Sequence, residues 1–399
     1  MNGERGITQL EAALKNELLQ LDASGKIREL PISHPGSPGR IESRGRELID
    51  LTNWDFLSLA QNSEYRDALP RAVSNQGFGG RSPRSLSGTS FLHSEFERRF
   101  ALFMGTESSL LFSSKNQAVL SLLTALVSEN DLVLADEMVQ SPIADAAYLV
   151  GARHLSIQQS RAESIATALE REPTTGRRFI YVEALSPLTG ERTPLEQILT
   201  LAAQFDLIPI VDESFTLVAY GARGSGTLES SPLRNSVLAW ICDLSRGLCG
   251  IGTSIATSSI VAGFLLQRSR TFHYETALPS PLLSLNLRAL DLIELNAVWR
   301  ERLRLASSQL RLALTQLRLS DGLELDSPVI VVPEKNYETA KTLQRELLSR
   351  GFLVDLLSPL AARNERAAIR IVVTTALEQR DLNLLTAALS ELTQRLKTR

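Results

Sequence analysis

The chain has 399 residues, 43% of them hydrophobic and 22% charged, which is typical of a globular protein with a large core. A formal net charge of −3 gives no electrostatic reason to expect nucleic-acid or membrane-surface binding. The two cysteines, Cys242 and Cys249, match neither a metal-binding spacing nor a disulfide framework. No apolar run reaches the roughly 18 residues that a membrane span needs. We therefore expect a cytoplasmic protein without a metal or a membrane span.

Lysine is rare in this sequence, and most basic residues are arginine. The six lysines are Lys15, Lys26, Lys115, Lys335, Lys341 and Lys397. The four histidines, His34, His93, His154 and His273, are scattered and form no metal-ligand motif. A catalytic amine therefore has few possible positions.

The first hundred residues predict helical and irregular segments. Leucines at helical spacing predict an amphipathic helix over residues 7–27, and the prolines of residues 31–38 end it. Short strands are expected over residues 41–53. Residues 77–89 form a glycine- and serine-rich loop without the spacing of a dinucleotide fingerprint, and residues 93–104 predict a helix.

The central region alternates short apolar strands with helices, which predicts a mostly parallel sheet covered on both faces. The expected strands are 108–112, 132–136, 154–157, 178–183, 208–212 and 236–243, with a further candidate at 258–266. The expected helices are 113–127, 142–150, 162–170 and 195–205. Ligands of such sheets bind at the carboxyl ends of the strands, where Asp136, Glu183 and Asp212 lie. Ser113 and Ser114 fit either a phosphate cradle or a simple helix N-cap.

The last part of the chain predicts a smaller α+β unit. One long connecting helix is expected over residues 283–317. Strands at 329–332, 353–356 and 368–373 and helices at 337–350 and 378–396 follow. The predicted organisation is an N-terminal arm (1–50), a large α/β domain (51–282), and a connector with a small domain (283–399).

Several stretches resemble one known family, in the same order and at similar spacing. Gly79-Gly-Arg-Ser-Pro-Arg-Ser-Leu-Ser-Gly-Thr89 is similar to its "GSRLLSGT" loop, and Leu111-Phe-Ser-Ser114 to "LFSSGYAAN". Val211-Asp-Glu-Ser214 resembles the start of "VDEAHSFGVLGPTGRG", and Thr276-Ala-Leu-Pro279 resembles "STALPP". The family is the α-oxoamine synthases, fold-type I pyridoxal phosphate (PLP) enzymes. The resemblance covers nearly the whole chain and implies their α/β fold.

The resemblance assigns a remnant cofactor cleft to eight residues: Asp212, Phe215, Gln140, Ser114, Lys115, Asn116, Asp243 and Arg246. Asp212 matches the acid that pairs with the PLP ring nitrogen. Phe215 and Gln140 stand where the family has histidines, and Arg246 stands at its Schiff-base lysine. Arginine stays protonated and cannot act as an amine nucleophile. We therefore expect no catalytic residue and no bound cofactor on this chain.

The remaining assignments concern neighbouring sites. The resemblance places Thr276, Asn53 and Arg81 in segments that approach the partner subunit's site, and Arg370 at a substrate-carboxylate arginine. Lys115 matches a glycine that opens the phosphate-binding helix. We rate it a poor substitute nucleophile; filling the vacated phosphate place, paired with Asp212 or Asp243, is its alternative role.

This pattern resembles the non-catalytic subunit of serine palmitoyltransferase. It predicts a heterodimer in which a lysine-bearing homologous subunit carries PLP and condenses an acyl-CoA with an amino acid. Two alternatives remain open. One is an active PLP-dependent acyl-CoA:amino-acid acyltransferase like 8-amino-7-oxononanoate synthase. The other is a homodimeric ligand-binding or scaffold protein.

Overall fold

The computed structural model describes residues 2–23, 30, 32–43, 45–136, 142–158, 162–172, 174–319, 326–357 and 367–397. Its N-terminal part consists of helix α1 (Asn2–Ala23), strands β1 (His34–Pro35), β2 (Arg40–Ser43) and β3 (Arg46–Asp50), and helices α2 (Ser63–Arg66), α3 (Ala68–Gln76) and α4 (Phe91–Met104). Short 3₁₀ helices lie at Leu59–Gln61 and Pro232–Ser236, and a π-helical turn at Arg84–Gly88.

A seven-stranded sheet forms the centre of the molecule. Its strands are β4 (Ser108–Phe112), β5 (Leu132–Asp136), β6 (Arg153–Ile157), β7 (Arg178–Glu183), β8 (Leu207–Asp212), β9 (Ala239–Asp243) and β10 (Thr253–Thr257). They lie in the order β4-β10-β9-β8-β7-β5-β6. Only β10 runs antiparallel to its neighbours, so the predicted mostly parallel sheet is confirmed.

Helices cover both faces of this sheet. The central ones are α5 (Lys115–Leu126), α6 (Pro142–Val150), α7 (Ala162–Arg171), α8 (Leu195–Gln204), α9 (Ser259–Arg268) and α10 (Arg270–His273). Successive strand residues point to opposite faces. Leu132 and Leu134 accordingly pack in one hydrophobic cluster with α4 and α8, while Val133 and Ala135 pack in a second with α5, α6 and α9.

The C-terminal part contributes two smaller sheets. Its elements are α11 (Ser280–Leu295), α12 (Ala297–Gln316), β11 (Val329–Pro333), α13 (Tyr337–Ser349), β12 (Phe352–Leu353), β13 (Asp355–Leu357), β14 (Ala368–Val372) and α14 (Gln379–Lys397). Strands β11, β14 and β13 form an antiparallel sheet. Strand β12 pairs in parallel with β3, which joins the two ends of the chain in one sheet of order β1-β2-β3-β12.

The prediction of a strand over residues 258–266 is wrong, because this segment forms helix α9. The strand lies just before it, as β10. The Ser258 hydroxyl accepts a hydrogen bond from the Val261 backbone N–H and caps the helix. Ala262 and Leu265 are buried three residues apart while Ile260 is exposed, a helical pattern that a short apolar run hides.

The single connecting helix predicted over residues 283–317 is also wrong. The chain forms α11 and α12, which are separated at Asn296. The Asn296 backbone has φ −123° and ψ 61°, outside the helical region. Its side-chain amide donates to the Leu292 carbonyl at 2.8 Å, a local alternative to helical bonding. Residues 51–53, expected as strand, are irregular.

Among the described residues, no helix combines the length and apolar character that a bilayer crossing requires. Over the same ranges, no three histidine, cysteine or acidic side chains are grouped so that they could hold a metal ion.

Candidate functional site

The carboxyl edge of the large sheet brings two buried acids together. Glu183 ends β7 and Asp212 ends β8, and the two residues are direct partners in the parallel ladder. Helix α5 begins at the same edge, because it follows β4, and its first residue is Lys115. The sequence analysis placed both acids at strand ends, and the structure makes them neighbours there.

Lys115 binds both acids. Its Nζ lies 2.6 Å from Asp212 Oδ2 and 3.2 Å from Glu183 Oε1. Asp212 is further engaged by the Tyr181 hydroxyl, which donates to Oδ2 at 2.5 Å, and by the Ser214 backbone N–H, which donates to Oδ1 at 2.9 Å. The Asp212 side chain is fully buried, so these donors replace the water it loses. Of the two partners anticipated for Lys115, the structure places Asp212, not Asp243, against its ammonium.

The protonation states in this cluster follow from burial and charge. Burial alone would lower the pKa of Lys115, but the carboxylates of Asp212 and Glu183 outweigh it and raise that pKa. Burial disfavours the Asp212 carboxylate, yet Lys115 and the Ser214 and Tyr181 hydrogen bonds hold its pKa below the ordinary value. Lys115 is therefore an ammonium near neutral pH, which has no lone pair for nucleophilic attack.

Glu183 is the titratable member of the cluster. Burial raises its pKa to about 7 from an ordinary 4.5; Lys115 acts against this, and Asp212 and Asp136 add to it. Because the folded chain keeps this proton where the unfolded chain has released it, the free energy of unfolding falls as pH rises from about 4.5 through 7. The loss is on the order of 3 kcal/mol.

We expect Glu183→Gln to remove this loss, since glutamine keeps the acceptor oxygen for Lys115 but has no proton to release. The variant should melt several degrees above the parent at pH 8 and close to it at pH 5. Thermal unfolding across that pH range measures the difference. Glu170→Gln, on the exposed face of α7, is the control and should follow the parent. Parallel pH curves for the parent and Glu183→Gln would contradict the assignment.

A series of cations and aromatic rings, here called the cation–aromatic stack, continues from Lys115 across the cleft. Lys115 Nζ lies 5.6 Å from the Phe215 ring centroid, and Arg246 Cζ lies 5.4 Å from the same ring. Arg246 Cζ is also 5.3 Å from the Trp54 ring, and Arg370 Cζ 4.9 Å from Trp54. The two rings are 4.8 Å apart. Such contacts hold guanidinium groups in place when they are partly desolvated.

Arg246 and Arg370, the two arginines that the resemblance singled out, each form an ion pair with a nearby acid. Arg246 Nε lies 3.5 Å from Asp243 Oδ2, while Asp243 Oδ1 accepts from the Ser245 hydroxyl at 2.7 Å. Arg370 forms an ion pair with Asp355 and donates to the Pro187 carbonyl at 2.9 Å. The Nε atoms of both arginines are buried and have no hydrogen-bond acceptor among the described residues.

The other predicted cleft residues have minor roles in the structure or fall outside it. Ser114 is exposed, and its hydroxyl accepts from the Gln117 N–H at 3.3 Å, so it acts as the N-cap of α5. Asn116 is exposed in the first turn of that helix. Gln140 lies outside the described residues.

The segments expected to approach a partner's site lie beside each other. Pro83 and Thr276 form an antiparallel bridge, and the Ala277 N–H donates to the Ser82 carbonyl at 3.0 Å. Exposed Arg81 donates to the Gln76 carbonyl at 2.9 Å. Lining residues that include Gly79, Arg81, Ala277 and Leu278 surround a cavity of about 410 Å³. Asn53, apart from this pair of segments, accepts the Asp55 N–H at 2.9 Å.

The sequence analysis missed two members of the site, Trp54 and Tyr181. Trp54 stands next to Asn53, which the resemblance did single out. Tyr181 lies inside strand β7, two residues before Glu183, so the alternation of strand side chains places both on the same face. That alternation was the available signal for Tyr181.

The sheet order, the acid at the end of β8 and the cleft at this edge define the fold-type I class of PLP-dependent enzymes. A sequence model of the family "Aminotransferase class I and II" matches residues 46–389. The chain belongs to this family and, within it, to the α-oxoamine synthases.

Curated relatives match over almost the full length. An 8-amino-7-oxononanoate synthase of Methylobacterium sp. is 32% identical, over 96% of this chain and 97% of the relative. That of Geobacter sulfurreducens is 27% identical, over 95% and 97%. The structure of serine palmitoyltransferase from Sphingomonas wittichii superposes with a TM-score of 0.90 at 19% identity, covering 98% of this chain and 99% of the other. At that identity, the superposition supports the fold alone.

Proposed function

We propose that this chain is a non-catalytic subunit that supports a lysine-bearing homologue in the condensation of an acyl-CoA with an amino acid. The observation that carries the proposal is the state of two basic groups in the cleft, Arg246 and Lys115. Arg246, at the Schiff-base position of the family, lies against the rings of both Phe215 and Trp54. Lys115, the lysine at the sheet edge, is an ammonium ion-paired with Asp212.

Neither group can provide the nucleophile that this chemistry requires. When PLP is bound to a family member, it stabilises the carbanion formed at the substrate's α-carbon, and a lysine amine holds the aldehyde and moves the proton. A guanidinium remains protonated at any physiological pH. Deprotonating Lys115 would leave Asp212 buried without its cation.

The polar groups of the cleft do not fit PLP. The acid that would pair with the ring nitrogen already holds Lys115 at 2.6 Å, Tyr181 at 2.5 Å and a backbone N–H at 2.9 Å. Phe215 has no hydrogen-bonding atom to offer the ring's phenolic oxygen. The carboxylate of Asp243 lies at the start of the Arg246 loop, where the resemblance puts a hydroxyl residue near the phosphate. No step of a reaction is therefore assigned to this cleft.

The segments that would approach a partner's site, unlike the cleft, keep the family's sequence motifs. Segments 79–89 and 276–279 match their family motifs and are joined by the Pro83–Thr276 bridge and the Ser82–Ala277 hydrogen bond. In the family these segments approach the cofactor of the other subunit. The chain's own cleft lacks a usable nucleophile, while the segments that face a partner in the family keep their motifs. This combination supports a heterodimer in which this chain completes the partner's site.

Co-expression with a homologue that carries lysine at the Arg246 position tests the proposal. We expect the two chains to co-purify as a 1:1 dimer and the mixed dimer to condense acyl-CoA with amino acid at least about tenfold faster than the homologue alone. The matched control is the same homologue expressed without this chain. Failure to form a mixed dimer, or a mixed dimer with unchanged turnover, would contradict the subunit role.

The second candidate is an active acyltransferase, and the names of the curated relatives favour it. Those at 27–32% identity over the whole length are described as 8-amino-7-oxononanoate synthases. Turnover by this chain alone, with PLP added, would establish this candidate instead. We expect no turnover in that reaction, because the described residues of the cleft include no unprotonated amine.

A further inference from the structure

Lys115 lies where the ring nitrogen of PLP binds in other enzymes of this fold. Its Nζ lies 2.6 Å from Asp212, the acid that in PLP enzymes of this class faces the cofactor's ring nitrogen. We propose that Lys115 is a specificity-determining residue, an internal cation that closes the ring-nitrogen end of the cleft to PLP and to other pyridinium rings, independently of Arg246. This inference does not depend on the subunit role.

The geometry leaves no room for a second cation on Asp212. A protonated ring nitrogen must approach a carboxylate to about 2.7–2.9 Å to form its charge-assisted bond. Lys115 and the Tyr181 hydroxyl already share Oδ2, and the Ser214 N–H engages Oδ1. A pyridinium at that distance would also lie close to the Lys115 ammonium, where two like charges repel strongly because little water separates them.

Lys115 cannot easily move aside to admit a ring. Glu183 holds it from a second direction at 3.2 Å, and the Phe215 ring lies 5.6 Å from its Nζ. Moving the ammonium away would leave Asp212 buried without a counter-charge, which is costly. The side chain is therefore part of the wall of the cleft.

Two separate features thus exclude PLP. Arg246 removes the covalent attachment point, while Lys115 occupies the acid that would hold the ring. A reversion at position 246 alone should therefore fail to restore cofactor binding. The position of Lys115 matches a glycine in the family, so removal of its side chain is the second change required.

Four forms of the full chain test this: the parent, Arg246→Lys, Lys115→Gly, and the double variant Arg246→Lys/Lys115→Gly. Each is titrated with PLP, and binding is followed by fluorescence and by the shift in melting temperature. Borohydride then traps any covalent adduct for mass spectrometry. In that adduct the introduced amine adds to the aldehyde carbon, water leaves, and hydride reduces the imine while its nitrogen takes a proton from water.

We expect the double variant to bind PLP about 10- to 100-fold more tightly than Arg246→Lys, the range for a hydrogen bond to a charged group. It should also be the form that gives a trapped adduct. Adding Asp212→Asn to the double variant should remove the gain, since an amide cannot pair with a ring cation. Equal binding by Arg246→Lys and the double variant would overturn the proposal.

Loss of Lys115 can impair folding, so a second pair of variants keeps the test decisive. Lys115→Gln retains a polar donor beside Asp212 but no charge. Combined with Arg246→Lys, it should still bind PLP more tightly than Arg246→Lys alone. A folded Lys115→Gln/Arg246→Lys protein without that gain would show that the Lys115 charge does not exclude the cofactor. A negative result in these PLP titrations leaves the mixed-dimer experiment unaffected. A negative mixed-dimer experiment likewise leaves the PLP titrations unaffected.

Discussion

Replacing Lys115 with methionine is expected to cost about 3–5 kcal/mol of stability, the usual effect of removing one member of a buried ion pair. Methionine fills much of the same volume but leaves the fully buried Asp212 without its cation at 2.6 Å. For a chain of this length the melting temperature should fall by roughly 5 °C. Differential scanning calorimetry on the purified chain measures the change.

A double-mutant cycle separates lost charge from lost packing. Lys115→Met combined with Asp212→Asn should recover most of the stability, because the asparagine carbonyl still accepts from Tyr181 and position 212 no longer holds a buried charge without its cation. Lys335→Met, at an exposed position, is the control and should melt with the parent. If Lys115→Met and the double variant melt at the same temperature, the Lys115–Asp212 pair does not stabilise the cleft.

Replacing Gly80 with valine is expected to reduce the turnover of a mixed dimer by about 10- to 100-fold, while this chain stays folded. A Cβ at Gly80 would lie 2.7 Å from Thr276 Cγ2 and 3.2 Å from the Ala277 carbonyl oxygen, and the branched side chain adds further atoms there. Thr276 and the Ala277 carbonyl must then shift, which disturbs the packing of the two segments proposed to serve the partner. Displacements of about 1 Å near a reacting group commonly have effects of this size.

The readout is the rate of the lysine-bearing partner with wild-type or variant chain, at matched dimer concentration. Gly263→Val on α9 is the control, because a Cβ there would meet no atom within 4 Å. Unchanged turnover with Gly80→Val would show that the 79–89 and 276–279 segments do not contribute to the partner's site. A lower dimer yield with normal specific activity would instead assign them to assembly.

The secondary structure was largely predictable because its signals are local. Apolar strands of five or six residues separated by amphipathic helices indicated the parallel sheet, and the bounds of β4 and β5 agree with the prediction. The errors arose where a local pattern was ambiguous. Residues 258–266 are apolar enough for either a strand or a helix, and the break at Asn296 depends on one residue's backbone conformation. The three-part domain division stays a prediction.

The site was predictable in part. Arg246 and Asp212 were placed by their resemblance to family motifs, and Asp212 was expected as a partner of Lys115. The contact of Trp54 with two arginines was not predictable, because no rule of spacing relates Trp54, Arg246 and Arg370. Their contacts exist only because the sheet and the C-terminal part of the chain pack around one cleft.

By itself the sequence determined the class of fold and the absence of an amine at residue 246, since both depend on local periodicity and on the identity of one side chain. The tertiary structure alone decided what replaces that amine. Lys115, Glu183 and Asp212 come from three separate elements, and only their packing at the sheet edge brings an ammonium within 2.6 Å of a buried carboxylate. The charges then decide the protonation of Lys115 and Asp212, because their mutual attraction outweighs the effect of burial on the pKa of each group.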